Sequence, residues 1–112
     1  MAFDAILETS NDIATITLSG ELDASTAAVF KEQVEKAATQ KVKRLVLMMQ
    51  NLGFMASAGL RVLIFAKQKM GADADIYIVG AQEMVMDTLN KTGYDQSVIV
   101  LDEYDPAQIE AV

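Results

Sequence analysis

An uninterrupted apolar run, residues 45–49, lies between two segments with helical spacing and limits the possible folds more than any other part of the chain. A run of this length is short for a helix and suits a central strand that is covered on both faces of a sheet. Strands that alternate with helices indicate an α/β fold around one sheet. With 112 residues, the chain has the length of a single domain.

The patterns predict five strands and four helices in the order ββαβαβαβα, with a mixed sheet because the first two strands form a hairpin. Residues 10–12 have turn composition, and residues 50–55 are predicted to be a loop. The predicted strands are residues 3–9, 13–18, 44–49, 75–79 and 97–101. The predicted helices are residues 24–40, 57–70 and 81–92, with a short one that starts at Pro106.

The sequence predicts where the first helix begins and which side of the second helix faces inward. Asp23 stands where the N-cap of the first helix is expected. In the second helix, side chains at helical spacing predict one inward stripe. That stripe comprises Leu60, Leu63, Ile64, Lys67 and Met70.

Composition argues against several classes of function. The formal charge of −7 disfavours direct binding of DNA or RNA, although it would steer a protein partner that has a basic face. The chain has no cysteine and no histidine. It therefore lacks a thiol nucleophile, the commonest general base near neutral pH and the commonest ligands of transition metals. We therefore expect no metal or cofactor site and no enzyme, because no segment concentrates the Asp, Glu, Lys or Tyr residues that would have to replace them.

The chain also lacks membrane and export signals. No apolar run approaches the roughly 18 residues of a membrane-spanning helix, and residues 1–4 lack the basic start of a secretory signal. The expected location is cytoplasmic, without membrane insertion.

Ser57 stands at the start of the second helix and admits two interpretations. Serine is a preferred N-cap, so its side chain could simply cap the helix. It could also be a modification site, because the free N–H groups and the helix dipole favour a phosphate there by about 0.3 to 2 kcal/mol. A phosphate in a binding face would weaken binding by charge, bulk and desolvation.

The sequence around Ser57 resembles one protein family. STAS domains of the anti-sigma-factor antagonist type begin this helix with apolar-apolar-Asp-Ser-Ser-Gly-Leu. This chain reads Phe54-Met55-Ala56-Ser57-Ala58-Gly59-Leu60, and it carries a second match in Gly20-Glu21-Leu22-Asp23. The spacing of both motifs and of Thr92-Gly93 also fits, so the resemblance spans nearly all of residues 1–112 as one STAS-like domain.

This resemblance implies a binding module without catalytic activity. Such a protein sequesters a serine kinase that is also an anti-sigma factor, and so releases a sigma factor by partner switching. The kinase would phosphorylate Ser57 and end the binding, and a serine phosphatase would restore it. The implied partner-binding residues are Gly20, Glu21, Leu22, Asp23, Phe54, Met55, Ser57, Ala58, Gly59 and Arg61. Met55, in the predicted loop, is a candidate for an exposed methionine.

Two acidic residues of the family pattern are absent. Ala56 replaces the Asp before the serine, Met48 replaces the Asp of the third strand, and Ala58 replaces the second serine. A kinase that relies on those acids for orientation would phosphorylate Ser57 poorly. The alternative is therefore a structural or regulatory STAS subunit of a transporter-associated or stressosome-like complex, in which Ser57 is not phosphorylated.

Overall fold

A computed structural model describes residues 3–111 and confirms the predicted order of elements. The strands are β1 (Asp4–Ser10), β2 (Ile13–Leu22), β3 (Arg44–Met55), β4 (Asp75–Val79) and β5 (Ile99–Leu101). The helices are α1 (Ala27–Thr39), α2 (Ser57–Met70), α3 (Glu83–Thr92) and α4 (Pro106–Ile109), with a 3-10 helix at Tyr94–Gln96. No helix within residues 3–111 combines the length and the apolar character needed to cross a membrane.

The first two strands form the predicted hairpin. Its two central residues, Asn11 and Asp12, have φ values of 51° and 66°, and Ser10 pairs with Ile13 across the turn. Positive φ at both central positions is typical of the tight turns whose twist matches that of the strands, and Asn and Asp tolerate it better than most residues.

The sheet is mixed, with strand order β1-β2-β3-β4-β5. Only β1 runs antiparallel to its neighbour, whereas β2 to β5 are parallel. Each parallel strand is added on the same side of the previous one. Because such crossovers share one hand, α1, α2 and α3 lie on one face of the sheet.

The main core lies between that face and the three helices. The alternating side chains of β3 divide between the two faces, with Leu45 and Leu47 in this core and Val46 in a smaller cluster on the opposite face. The smaller cluster is covered by the C-terminal segment through Ile109, which is fully buried. The central strand is therefore covered on both faces, as its apolar run predicts.

Two strands are longer than the sequence analysis predicts. The predicted break after residue 18 belongs to β2, and the predicted loop 50–55 belongs to β3. These extensions pair with each other from Ser19–Asn51 to Leu22–Met55, through two irregularities at which β3 has one extra residue. The prediction failed because this pairing joins segments that are distant in sequence.

Two helix starts also differ from the prediction. Helix α1 begins at Ala27 with Thr26 as its N-cap, and not directly after Asp23. Helix α3 begins at Glu83, two residues later than predicted, with Gln82 as its N-cap. In α1, the side chain of Asp23 holds a turn that precedes the helix, so the sequence signal for a cap lies three residues before the cap itself.

The inward stripe predicted for α2 was partly wrong. The buried residues of this helix are Gly59, Val62, Leu63 and Ala66. This set has the spacing of one helix face, whereas Ile64 is 44% exposed. Gly59 begins the buried face because a glycine allows the helix to approach the sheet closely.

Candidate partner-binding site

The two segments that resemble the family motifs meet at the carboxyl ends of β2 and β3. Leu22 pairs with Met55 as the last residues of the two strands. The amide of Ala56 then donates a hydrogen bond of 2.8 Å to the carbonyl of Leu22. The start of α2 is thereby attached to the end of β2, and the loop before α1 lies beside it.

Gly59 determines how closely α2 approaches these strand ends. A Cβ atom at this position would lie 2.7 Å from Cγ and Cδ2 of Leu22 and 2.8 Å from Cγ of Met55. These separations are shorter than real carbon–carbon contacts, so only a glycine fits without a shift of its neighbours. The first turn of α2 is therefore packed directly on the core.

The ten candidate residues divide by exposure. Glu21, Phe54, Ser57 and Arg61 are exposed, while Asp23 and Ala58 are half-buried. The other four residues are buried beneath this surface and support it: Gly20, Leu22, Met55 and Gly59. Met55 is only 3% exposed, so the expectation of an exposed methionine was wrong. Its position in β3 explains the burial, since it is the last strand residue and faces the main core.

Ser57 is the first residue of α2 and follows the N-cap Ala56. Among the described residues, no side chain caps this helix, and its N-cap is Ala56, so the interpretation of Ser57 as an N-cap was wrong. The hydroxyl lies on an exposed residue at the helix end that carries the positive pole of the dipole. The amides of Ser57 and Ala58 precede the first hydrogen bonds of the helix, which Gly59 and Leu60 donate to the carbonyl of Ala56.

Asp23 organises the neighbouring turn. Its carboxylate accepts hydrogen bonds from the hydroxyl of Ser25 at 2.7 Å and from the amides of Ser25 and Thr26 at 2.9 and 3.2 Å. These bonds, with the Ser25 hydroxyl first, lower the pKa of Asp23 below its ordinary value of 3.8. The carboxylate is thus charged at neutral pH and fixed in orientation beside the start of α2.

The surface around Ser57 contains two exposed apolar side chains: Phe54, which the family resemblance assigns to it, and Ile64, which was predicted to face inward. Phe54 is 38% exposed at the end of β3, directly across from Glu21 in the strand pairing. Ile64 is exposed two helical turns beyond Ser57, with Arg61 between them. The spacing of 57, 61 and 64 follows one side of a helix, and this spacing could have identified the strip in the sequence.

The residues that differ from the family pattern lie apart from one another. Ala56 adjoins Ser57, whereas Met48 lies within β3, where it pairs with Thr17 and Val79 and contacts the cluster on the face opposite α2. Among residues 3–111, no group of three or more Asp or Glu side chains is arranged to hold a metal ion.

Comparison with known proteins identifies the domain. The sequence model of the STAS domain matches residues 4–107. The chain is 24% identical over 87 residues to the anti-sigma-F factor antagonist RsfB of Mycobacterium tuberculosis, which covers 78% of this chain and 71% of RsfB.

Solved structures share the fold. An anti-sigma factor antagonist from Mycobacterium paratuberculosis superposes with a TM-score of 0.86 at 21% identity, over 95% of this chain and 91% of that protein. The Bacillus cell fate determinant SpoIIAA in its phosphorylated form superposes with a TM-score of 0.72 at 17% identity, over 97% of both chains. With a family match across nearly its whole length, this chain belongs to the STAS domain family.

Proposed function

We propose that this chain is an anti-sigma-factor antagonist that works by partner switching. In its unmodified form it binds a serine kinase that is also an anti-sigma factor, and so releases a sigma factor. Phosphorylation of Ser57 ends this binding, and a serine phosphatase restores it. The proposed role is binding, without catalysis and without a cofactor.

The observation that carries the proposal is the exposure of Ser57 on the first turn of α2, beside the end of β2. A kinase can reach a hydroxyl in this position. The named relatives support the partner class, since RsfB is an anti-sigma-F factor antagonist and SpoIIAA has been solved in a phosphorylated form.

A phosphate at this position acts mainly on the partner. It adds a charge of about −1.5 to −2, which the positive pole of α2 tolerates without unfolding the helix. A partner that packs over Ser57 would meet the new charge, its bulk and the cost of desolvating it. Binding is therefore lost without any rearrangement of this domain.

The proposed docking surface consists of exposed and half-buried residues at the two strand ends and along the first two turns of α2. These are Glu21, Asp23, Phe54, Ser57, Ala58, Arg61 and the newly identified Ile64. Phe54 on β3 and Ile64 on α2 offer apolar contacts. The acidic Glu21 and Asp23 favour a partner with basic side chains opposite the turn before α1.

The first test is capture of partners from the native host with three forms of the full chain. We expect wild type and Ser57→Ala to retain a protein with a serine-kinase domain, and Ser57→Asp to lose it. The matched control is Ser97→Asp, which adds the same charge at another exposed serine and leaves capture intact. Equal retention by wild type and Ser57→Asp contradicts the proposed switch.

A second test uses that purified kinase with ATP and measures intact mass. We expect one phosphoryl group on wild type and none on Ser57→Ala. A structural STAS subunit remains the competing function, and it is favoured by the absence of acidic residues at Ala56 and Met48. Absence of the adduct on wild type, or its persistence in Ser57→Ala, supports that competitor.

A further inference from the structure

A groove of about 520 Å³ lies on the sheet face opposite α1, α2 and α3. It is lined by residues of β1, β2 and β3, by the hairpin turn and by the C-terminal segment. Its volume is in the range of sites that hold small organic molecules. Because α2 packs on the other face, the groove is separate from the surface around Ser57.

The floor and walls of the groove are fixed by the sheet. Ile13 and Met48 supply apolar surface, and Thr15 and Thr17 supply hydroxyls from the same face of β2. Met48 stands here in place of the acidic residue of the family pattern, so the floor at this position is uncharged.

The C-terminal segment forms the opposite rim and is held firmly. The guanidinium of Arg44 donates to the carbonyls of Gln108 and Ile109, at 2.9 Å for the latter. The side chain of Ile109 is fully buried beneath the segment. Two lining residues, Tyr104 and Glu110, are therefore kept beside the sheet.

Tyr104 and Glu110 are joined by a hydrogen bond of 2.7 Å from the phenol to the carboxylate. Burial and the Glu110 carboxylate raise the pKa of Tyr104 to about 12, so the phenol keeps its proton at neutral pH. The bond orients the carboxylate and occupies one of its acceptor positions, and the remaining ones stay available to a ligand.

The charge of the lining selects the ligand. Glu8 on β1 and Glu110 on the C-terminal segment both line the groove, and no lysine or arginine of residues 3–111 does. Such a site repels phosphates and carboxylates and attracts a cation. Apolar surface and carboxylates in the same groove favour a cation that carries an apolar body.

We propose that this groove binds a small organic cation, an amine or guanidine joined to a compact apolar body. The charged group contacts Glu110 and Glu8, and the apolar body lies on Ile13 and Met48. This site is independent of the proposed function at Ser57, and either can fail without the other.

The test is a titration of the full ¹⁵N-labelled chain with phenethylamine, followed by NMR. We expect saturable shifts at residues 8–17, around Met48 and at residues 104–110, with the amides around Ser57 unmoved. Two probes of the same shape, neutral 2-phenylethanol and anionic phenylacetate, should bind more weakly by on the order of tenfold or more, since each loses the charge-assisted hydrogen bond.

Variants test the two carboxylates separately. Glu110→Gln and Glu8→Gln should each weaken phenethylamine binding by on the order of tenfold, while Glu103→Gln, an exposed control on the C-terminal segment outside the lining, should not. The NMR spectra show directly whether each variant is folded. Scattered or unsaturable shifts, equal binding of phenylacetate, or unchanged affinity in both glutamine variants of the lining would overturn the proposal.

Discussion

Gly59 is the residue at which the candidate site is joined to the core. Its missing side chain lets α2 lie against Leu22 and Met55, while the bond from the Ala56 amide to the Leu22 carbonyl attaches the start of the helix to the end of β2. Exposure of Ser57 on one side of the first turn thus depends on close packing on the other.

We expect Gly59→Ala to destabilise the chain. The overpacking costs about 1 to 3 kcal/mol, which exceeds the gain of about 0.5 to 1 kcal/mol from replacing a helical glycine. Gly53→Ala is the matched control, since its Cβ atom would meet nothing closer than 3.9 Å. Urea unfolding measures both free energies of unfolding, and equal stability of Gly59→Ala and wild type would contradict the packing described for α2.

A substitution at Ile64 can test partner binding with little effect on folding. Because its side chain is 44% exposed, Ile64→Ser should change the free energy of unfolding by no more than about 0.5 kcal/mol. If the docking surface extends along α2, the same change weakens kinase binding by about fivefold or more. Met84→Ser is the control, because Met84 is 54% exposed on α3, and calorimetry with the captured kinase compares the two variants. Equal affinity of both variants would remove Ile64 from the surface.

At the scale of elements, the C-terminal segment depends on one side chain of the sheet. Arg44 bonds to carbonyls of the segment, lies over the ring of Tyr77 and approaches Asp75 at 3.9 Å. Apart from Ile109 and Tyr104, the segment adds few side chains to the cluster on this face. The rim of the groove is thus held by polar bonds more than by a large apolar interface.

We therefore expect Arg44→Gln to speed amide hydrogen exchange in residues 104–111, because the segment can then open locally. Exchange in β2 and β3 should stay near its wild-type rate, since their core contacts are unchanged. Lys43→Gln serves as the control at the adjacent exposed position. Unchanged exchange in the C-terminal residues would show that Ile109 alone holds the segment.

At the scale of the whole molecule, Tyr94 links the last part of the chain to α2. Its buried phenol donates a hydrogen bond of 2.6 Å to the carbonyl of Leu63, and burial raises its pKa above the ordinary value of 10.0. The unfolded chain loses this proton near pH 10, whereas the folded chain retains it. The stabilising contribution is therefore complete below pH 10 and is lost as the pH rises above it.

Tyr94→Phe should lower the free energy of unfolding at neutral pH by about 1 kcal/mol, through loss of the hydrogen bond. Above pH 10 the variant should lose stability less steeply than wild type, because it lacks the phenolic proton of Tyr94. Urea unfolding at a series of pH values measures both effects. If the free energies of unfolding of wild type and variant fall in parallel above pH 10, Tyr94 does not cause the loss of stability there.

Local patterns were sufficient for the order of elements and for the position of Ser57. The apolar run before Gln50 predicts a covered strand, and the turn residues Asn11 and Asp12 predict the hairpin. The helix that starts at Ser57 follows from spacing within the helix itself. These features depend on residues close together in the chain, so periodicity and turn chemistry reveal them.

Contacts between distant segments decided the rest. Residues 19–22 and 50–55 carry no clear strand pattern, and they become strands because each supplies the other's backbone partners. The same pairing buries Met55 and places Asp23 beside the start of α2. The groove likewise arises where residues near 8, 48 and 110 meet. A sequence pattern reflects the burial of side chains along one helix or strand. Hydrogen bonds and packing between elements form only when the chain folds and brings distant segments together.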